Sequence, residues 1–203
     1  FERNKLRLLH YRRNESVTQN PTPLLIVYSL INRPYLADLS KERSLVQGLL
    51  DAGQDVYLID WGYPDTNDHL TSLDNYLNGA LDACVDEVCK QHHSAQLNLL
   101  GICQGGVFSL CYSAIYPHKI RNLVTTVTPV DFHTPDNMLS HWAKNIDADK
   151  LVSTLGNIPG NVIAGLFTAL RPYRQVAQKY RGLVDIMDNA PALQKFMQLE
   201  KWL

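Results

Sequence analysis

The sequence predicts an α/β protein in which a mostly parallel sheet with flanking helices is followed by a helical cap. Three observations carry that expectation. Short apolar runs at Leu24–Tyr28, Val56–Ile59, Leu97–Leu100 and Asn122–Val127 have the length of strands covered on both faces. Helical stripes lie between these runs, which is the spacing of parallel βαβ units. From His133 to Leu203 no further strand pattern occurs. The division expected is therefore an incomplete core over 1–132 and a cap over 133–203. At 203 residues and 45% hydrophobic, the chain can bury one sizeable core.

Taken in order, Glu2 to Tyr11 alternates charged and apolar residues and suits an outer strand, and Arg12 to Pro23 is a polar turn. Leu24–Tyr28 opens into the loop Ser29-Leu30-Ile31-Asn32-Arg33-Pro34-Tyr35. Ser40 is expected to cap a helix running to about Leu50, which Ala52-Gly53 ends. Val56–Ile59 delivers Asp60-Trp61-Gly62-Tyr63-Pro64-Asp65 to the same rim. Thr71 with Asp74 three residues on resembles a capping box. Behind it Leu73, Tyr76, Leu77, Ala80, Leu81, Cys84, Val85 and Val88 keep one helical stripe, which reads as core. After a helix following Cys103, Pro117 stops the chain, and the strand 122–127 ends in Thr128-Pro129-Val130-Asp131-Phe132. Beyond it His141 to Lys150 is polar and Ile158-Pro159-Gly160 breaks the chain. Val162–Leu170 and Ala192–Leu203 read as amphipathic helices joined through Arg171-Pro172-Tyr173.

Net charge is −1, so nothing marks a nucleic-acid binder, and no run is long enough to span a bilayer. The cysteines (Cys84, Cys89, Cys103, Cys111) form no CxxC pair and are too sparse for a disulfide scaffold. Cys84 and Cys111 sit at apolar helix positions and read as core residues. A reduced, cytoplasmic setting is expected. The chain starts at Phe1 without a signal-peptide pattern and reads as a piece of something longer.

The chemistry is concentrated at Leu97-Asn98-Leu99-Leu100-Gly101-Ile102-Cys103-Gln104-Gly105-Gly106. An apolar strand ends in Gly-x-Cys-x-Gly and a helix begins, the pattern of a nucleophile elbow with cysteine in the place of serine. Glycines two before and two after the nucleophile let strand and helix pass closely. A thiol at a helix N-terminus is favoured as thiolate. The Gln104 backbone N–H is placed to donate to an oxyanion, with a second donor expected near Ile31 and Asn32. The same spacing also suits a glycine-rich turn around a buried cysteine.

Acyl transfer from cysteine also needs a base and an orienting acid. Asp131 is a local candidate for the acid, though it also suits the cap of a turn beginning at Thr134. His133 is the one histidine worth testing as base. His10 and His69 precede the nucleophile, His92 and His93 end a helix, His118 sits in a turn, and His141 falls at the cap entrance. The aspartate and histidine of a triad are expected beyond Leu203, so this piece either belongs to a longer enzyme or is inactive as it stands.

The elbow is that of an α/β-hydrolase fold, and the whole chain resembles the catalytic subunit of a polyhydroxyalkanoate synthase. The two-component class III enzymes are most similar, and class IV subunits share the motifs. The carrying stretches are Asn32–Leu39, Tyr57–Asp65, Asn98–Gly106 and Thr128–Phe132. The resemblance implies that Cys103 holds a growing polyester as a thioester, with Gln104 and an amide at Ile31 or Asn32 as oxyanion hole. It implies (R)-3-hydroxyacyl-CoA, such as 3-hydroxybutyryl-CoA, as substrate and CoA as product. No metal and no cofactor apart from the substrate's coenzyme A are implied. It further implies a second, non-catalytic subunit, a homodimer, and residence on polyester granules in the cytoplasm. Two other readings remain: a dienelactone-hydrolase-like cysteine hydrolase, and a non-catalytic interaction module.

Overall fold

Alternation along each buried strand sends neighbouring side chains to opposite faces of one sheet, and that alternation organises the core. The computed structural model describes residues 2–3, 5–12, 15–170 and 173–200. The strands are β1 (Glu2–Arg3), β2 (Leu6–His10), β3 (Leu24–Val27), β4 (Asp38–Ser40), β5 (Arg43–Ser44), β6 (Val56–Asp60), β7 (Leu97–Ile102) and β8 (Ile120–Thr126). The helices are α1 (Leu45–Asp51), α2 (Asp82–Gln91), α3 (Gln104–Ile115), α4 (Met138–Ala143), α5 (Ala148–Leu155), α6 (Gly160–Leu170), α7 (Lys179–Ile186) and α8 (Ala190–Glu200).

Six strands form one sheet in the order β1-β2-β6-β3-β7-β8. β6, β3, β7 and β8 run parallel, while β2 is antiparallel to β6 with Arg7 opposite Asp60 and His10 opposite Tyr57. The mostly parallel sheet expected from the apolar runs is what forms. Leu25, Val27, Tyr57, Ile59, Leu97 and Leu99 face the side covered by α2 and α3, packing on Leu81, Val85, Val88, Phe108 and Tyr112. Leu24, Ile26, Val56, Leu58, Leu100 and Ile102 face the other side, with Val46 and Leu50 of α1. Both faces are covered, which is why these strands read as continuous rather than alternating apolar runs.

The chain divides into two compact units, residues 1–63 with 70–130, and residues 64–69 with 131–203. Within the second unit, Asn137 caps α4 through the Ser140 N–H, and Asp147 caps α5 through the Lys150 N–H. The stretch 141–150, polar in sequence, thus contains the end of one helix and the start of another. The Asn157 side-chain amide donates to the Asp65 carbonyl, and Lys179 pairs with Glu200 between α7 and α8. The expected linker at Arg171-Pro172 and the end of the expected last helix at 201–203 lie outside the described residues.

Several local expectations are corrected. Ser40 does not cap α1; it ends β4 of a small hairpin, and its hydroxyl donates to Glu42. The cap is Ser44, whose Oγ accepts the Gln47 N–H at 2.8 Å, so the two-strand hairpin delays the helix by four residues. The capping box is one residue later than Thr71–Asp74: Ser72 Oγ accepts from the Asn75 N–H, and Asn75 Oδ1 accepts from the Ser72 N–H. Leu73, placed first in the core stripe, is exposed, because the helix has only begun there. From Asn75 to Leu81 the backbone winds as a π-helix before α2, and Leu77, Leu81, Cys84, Val85 and Val88 are buried as expected. The last strand begins at Ile120 and stops at Thr126. Val127 adopts φ 45°, a left-handed conformation that a β-branched residue rarely takes, and the extended backbone ends there. Cys111, expected in the core beside Cys84, is half-buried, whereas Cys84 is fully buried.

Candidate functional site

The site is built where the chain changes direction across the sheet. After β3 the chain crosses to β6 on one side, and then returns to β7 on the other. The crevice beyond the carboxyl ends of β3 and β7 is therefore a topological switch point, where ligands bind in open parallel sheets. Cys103 stands there, between β7 and α3, at φ 56° and ψ −125°. A non-glycine residue holds this conformation only when its surroundings impose it. They do: the Cys103 N–H donates to the Thr126 carbonyl at 3.0 Å, and the Cys103 carbonyl accepts the Gly106 N–H at 2.9 Å.

The glycines explain why nothing larger fits. A Cβ on Gly101 would lie 2.5 Å from the Gly106 Cα, and one on Gly105 would lie 2.1 Å from the Val27 carbonyl oxygen. On Gly106 it would meet the Thr128 hydroxyl at 1.9 Å, a constraint that the Gly-x-Cys-x-Gly spacing did not bring out. Strand β3 and the elbow are in backbone contact, the Thr128 side chain after β8 closes on Gly106, and this closeness is what presents the thiol. Cys103 is half-buried and packs beside Tyr28. Burial, and after it the negative charge that Cys103 can carry, hold the Tyr28 phenol above its usual range, so it stays protonated.

Gln104 opens α3. Its side-chain oxygen accepts the Leu30 N–H at 3.2 Å and the Ser29 hydroxyl at 3.4 Å, and Ser29 Oγ accepts the Ile31 N–H at 3.1 Å. The expected oxyanion residues Gln104 and Ile31 are thus linked through two hydrogen-bonded steps. Ile31 and Asn32 are exposed at the loop's crest, whereas Ser29 at its base is buried. Ser29 and the Gln104 side chain were missed in the sequence. Their signal was weak: a polar residue just after a buried strand, and a long polar residue next to Cys103.

The neighbouring rim is pinned as well. The Trp61 indole N–H donates to the Tyr28 carbonyl at 3.0 Å, and its ring meets Tyr76 and Phe108 edge-on at 5.6 and 6.0 Å between centroids. Asp60, fully buried at the end of β6, takes a hydrogen bond from Arg7 and another from the Gly62 N–H at 3.1 Å. Arg33 lies 3.8 Å from Asp60 and stacks over the Tyr63 ring, its guanidinium carbon 3.8 Å from the centroid. A carboxylate closing an apolar strand run is the trace this network leaves in the sequence.

In the unit that holds Cys103, the described histidines lie at the opposite end of the parallel strands, by their amino termini. His10 ends antiparallel β2, His92 and His93 follow α2, and His118 precedes β8. Two of them have a role that the sequence did not suggest. The buried Asp55 carboxylate is held by His10 Nε2 at 2.7 Å and His92 Nε2 at 3.1 Å, and His10 stacks on Tyr57 at 4.1 Å. Asp131 and His133 belong to the second unit and are exposed. The Asp131 carboxylate accepts the His133 backbone N–H at 2.8 Å, and its Oδ1 is 3.9 Å from the imidazole Nδ1. Asp131 thus fastens a turn, the second of the two roles its position suggested. Among the described residues no three His, Cys, Asp or Glu side chains converge as a metal site requires. Among them, too, no helix is long and apolar enough to cross a membrane.

Comparison with known proteins bears on the whole arrangement. A family model described as the alpha/beta hydrolase fold matches residues 22–195. Proteins named poly(3-hydroxyalkanoate) polymerase subunit PhaC are similar along the length of this chain. The one from Thiocystis violacea is 51% identical over 100% of this chain and 57% of its own, and that from Allochromatium vinosum is 52% identical over 100% and 58%. The one from Synechocystis sp. is 45% identical over 94% of this chain and 53% of its own. The chain thus spans between half and three-fifths of the length of these relatives. The resemblance that the motifs carried is borne out, and the chain belongs to the alpha/beta hydrolase fold family.

Proposed function

We propose that the protein is an acyltransferase that polymerises (R)-3-hydroxyacyl-CoA, 3-hydroxybutyryl-CoA foremost, into polyhydroxyalkanoate through a thioester on Cys103. The observation that carries this reading is the elbow itself. A strained Cys103 stands at the sheet's switch point, with the first amide of α3 on one side and the Ser29–Asn32 loop hydrogen-bonded to the same residue on the other. The names of the relatives support the reaction class.

In the proposed cycle the Cys103 thiolate attacks the acyl-CoA carbonyl, a C–S bond forms, and the CoA thiolate leaves and takes a proton. One thioester replaces another, at little change in free energy. The hydroxyl of the next monomer then attacks the enzyme-bound thioester, losing its proton to a base and releasing the thiol with a more stable oxygen ester. In both steps negative charge develops on a carbonyl oxygen. The Gln104 N–H and a second amide at Ile31 or Asn32 would stabilise it, each by a few kcal/mol. The described histidines of the Cys103 unit lie at the amino ends of the parallel strands, away from the elbow, and we assign the base and its acid to residues outside that unit. Asp131 and His133 are weaker candidates, exposed and engaged in their own turn. Water competes with the monomer hydroxyl, and we assign its exclusion to a helical cap over 133–203. A second, non-catalytic subunit, a homodimer, attachment to cytoplasmic polyester granules, and no cofactor beyond the CoA of the substrate belong to the same proposal.

The test is incubation of the intact enzyme with radiolabelled 3-hydroxybutyryl-CoA, following CoA release and acid-precipitable polymer, with Cys103→Ala as control. Polymer abolished by the substitution is the expected result. CoA release without polymer would instead make the protein a cysteine hydrolase. Inactivity with the partner subunit present would leave a non-catalytic module.

A further inference from the structure

The elbow residue after the nucleophile is expected to contribute only its backbone N–H, and nothing in that role requires a glutamine. Yet the Gln104 side chain reaches 74 residues back in sequence to the loop after β3. Its amide orientation is unambiguous: a backbone N–H can only donate, so the atom facing Leu30 is the oxygen. The same oxygen accepts from Ser29, whose hydroxyl in turn accepts from Ile31. The polar series therefore runs in one direction, from the Ile31 N–H to the Ser29 hydroxyl to the Gln104 carbonyl, with the Leu30 N–H joining at its end. Ser29 is 1% exposed and Ile31 is 48% exposed, so the chain is held at its buried base and open at its crest. Sterics point the same way. A Cβ at Gly105 would collide with the Val27 and Tyr28 carbonyls, so the helix start and the loop start have no slack between them.

We infer that the Gln104 side chain is a positioning residue for the oxyanion hole, fixing through Leu30 and Ser29 the loop that presents the second amide donor. The inference rests on the acyl-transfer reading of Cys103. Gln104 thereby couples the two halves of the hole: its backbone N–H is one donor, and its side chain sets the place of the other. At rest the Ile31 N–H is satisfied by Ser29 Oγ, which keeps it from collapsing onto other acceptors. A carbonyl oxygen gaining negative charge is a stronger acceptor than a neutral hydroxyl and draws that N–H to itself. What is preorganised is the loop's position, held before charge develops, so that only this one hydrogen bond is exchanged.

The experiment uses the intact enzyme with Gln104→Met, which keeps the side chain's length but has no carbonyl, and Gln104→Glu, which keeps an acceptor. Two reactions at Cys103 are compared. Acylation by 3-hydroxybutyryl-CoA passes through an oxyanion, whereas alkylation by iodoacetamide displaces iodide and does not. Amide hydrogen exchange at Leu30 is read in parallel, since it reports the anchor without any catalysis. The expected result for Gln104→Met is acylation slowed at least about tenfold with alkylation within about twofold of wild type. Leu30 exchange should rise about tenfold, and Gln104→Glu should keep Leu30 protected. Unchanged Leu30 protection in Gln104→Met, unchanged acylation, or acylation and alkylation falling together would each overturn the inference. If wild-type Cys103 is not acylated at all while Leu30 loses protection in Gln104→Met, the anchor stands and the acyl-transfer reading falls.

Discussion

Replacing Gly105 by alanine isolates the physical origin of the elbow, because the same substitution elsewhere in the chain has the opposite sign. In an open helical position Gly→Ala stabilises by about 1 kcal/mol through the lower entropy of the unfolded chain. Gly48, midway along α1, is such a position, with nothing within 4 Å of an added Cβ. At Gly105 the added carbon would lie 2.1 Å from the Val27 carbonyl oxygen, 2.6 Å from the Val27 carbonyl carbon and 2.7 Å from the Tyr28 carbonyl oxygen. All three are backbone atoms that cannot rotate away. Strand β3 and helix α3 would have to separate by about 1 Å, against a core that costs about 1–3 kcal/mol to overpack. Taking the upper end of that range and subtracting the helical gain leaves a net loss of about 2 kcal/mol. For a chain of this length that lowers Tm by about 4–8 °C. Thermal unfolding followed by circular dichroism on the two variants checks it. Gly48→Ala should raise Tm slightly and Gly105→Ala should lower it. A Gly105→Ala variant as stable as wild type would refute the claim that backbone contact between β3 and α3 shapes the site.

Three further predictions concern stability. Ser44→Ala should cost about 1 kcal/mol by removing the α1 cap, whereas Ser40→Ala should be nearly silent; denaturant titration distinguishes them, and equal losses would restore Ser40 as the cap. Burial pushes the Cys84 thiol up to about 12, well above the value of about 8.5 in an unfolded chain. With the folded pKa raised, the neutral thiol's contribution is complete below about pH 8.5 and is lost as pH climbs toward 12, on the order of 1 kcal/mol per pH unit. Cys84→Ala should therefore flatten the alkaline limb of a stability-against-pH curve, and an unaltered limb would contradict this. Asp55→Ala should cost about 3 kcal/mol, since it strips a buried carboxylate from two histidines and leaves their inward nitrogens without it. A loss below about 1 kcal/mol in chemical denaturation would mean that the pairing with His10 and His92 contributes little.

The elements that repeat a local pattern were legible in the sequence, and those fixed by distant partners were not. The strands β3, β6 and β7 announced themselves because burial on both faces demands unbroken apolar runs, which no tertiary detail alters. The elbow was legible for a related reason: glycines flanking Cys103 are required wherever a strand passes into a helix this closely. Helix starts were misplaced by one to four residues at Ser40 and Thr71, where Ser44 and Ser72 compete with them. A small hairpin in one case and a reciprocal Ser–Asn pair in the other decided the outcome.

By itself the sequence determined the α/β class, the mostly parallel sheet and the strand-to-helix elbow at Cys103, because periodicity and glycine spacing are local properties of the chain, and its motifs carried the resemblance to the family. Only the tertiary structure decided that Asp55 is held by two histidines, that Asp60 is held by Arg7 with Arg33 beside it, and that Gln104 holds the Ser29–Ile31 loop. Each of these pairings joins residues 27 to 75 positions apart. Hydrogen bonds between residues so distant depend on strand order and register, which no local pattern records. A buried polar atom finds its partner only after the sheet has assembled.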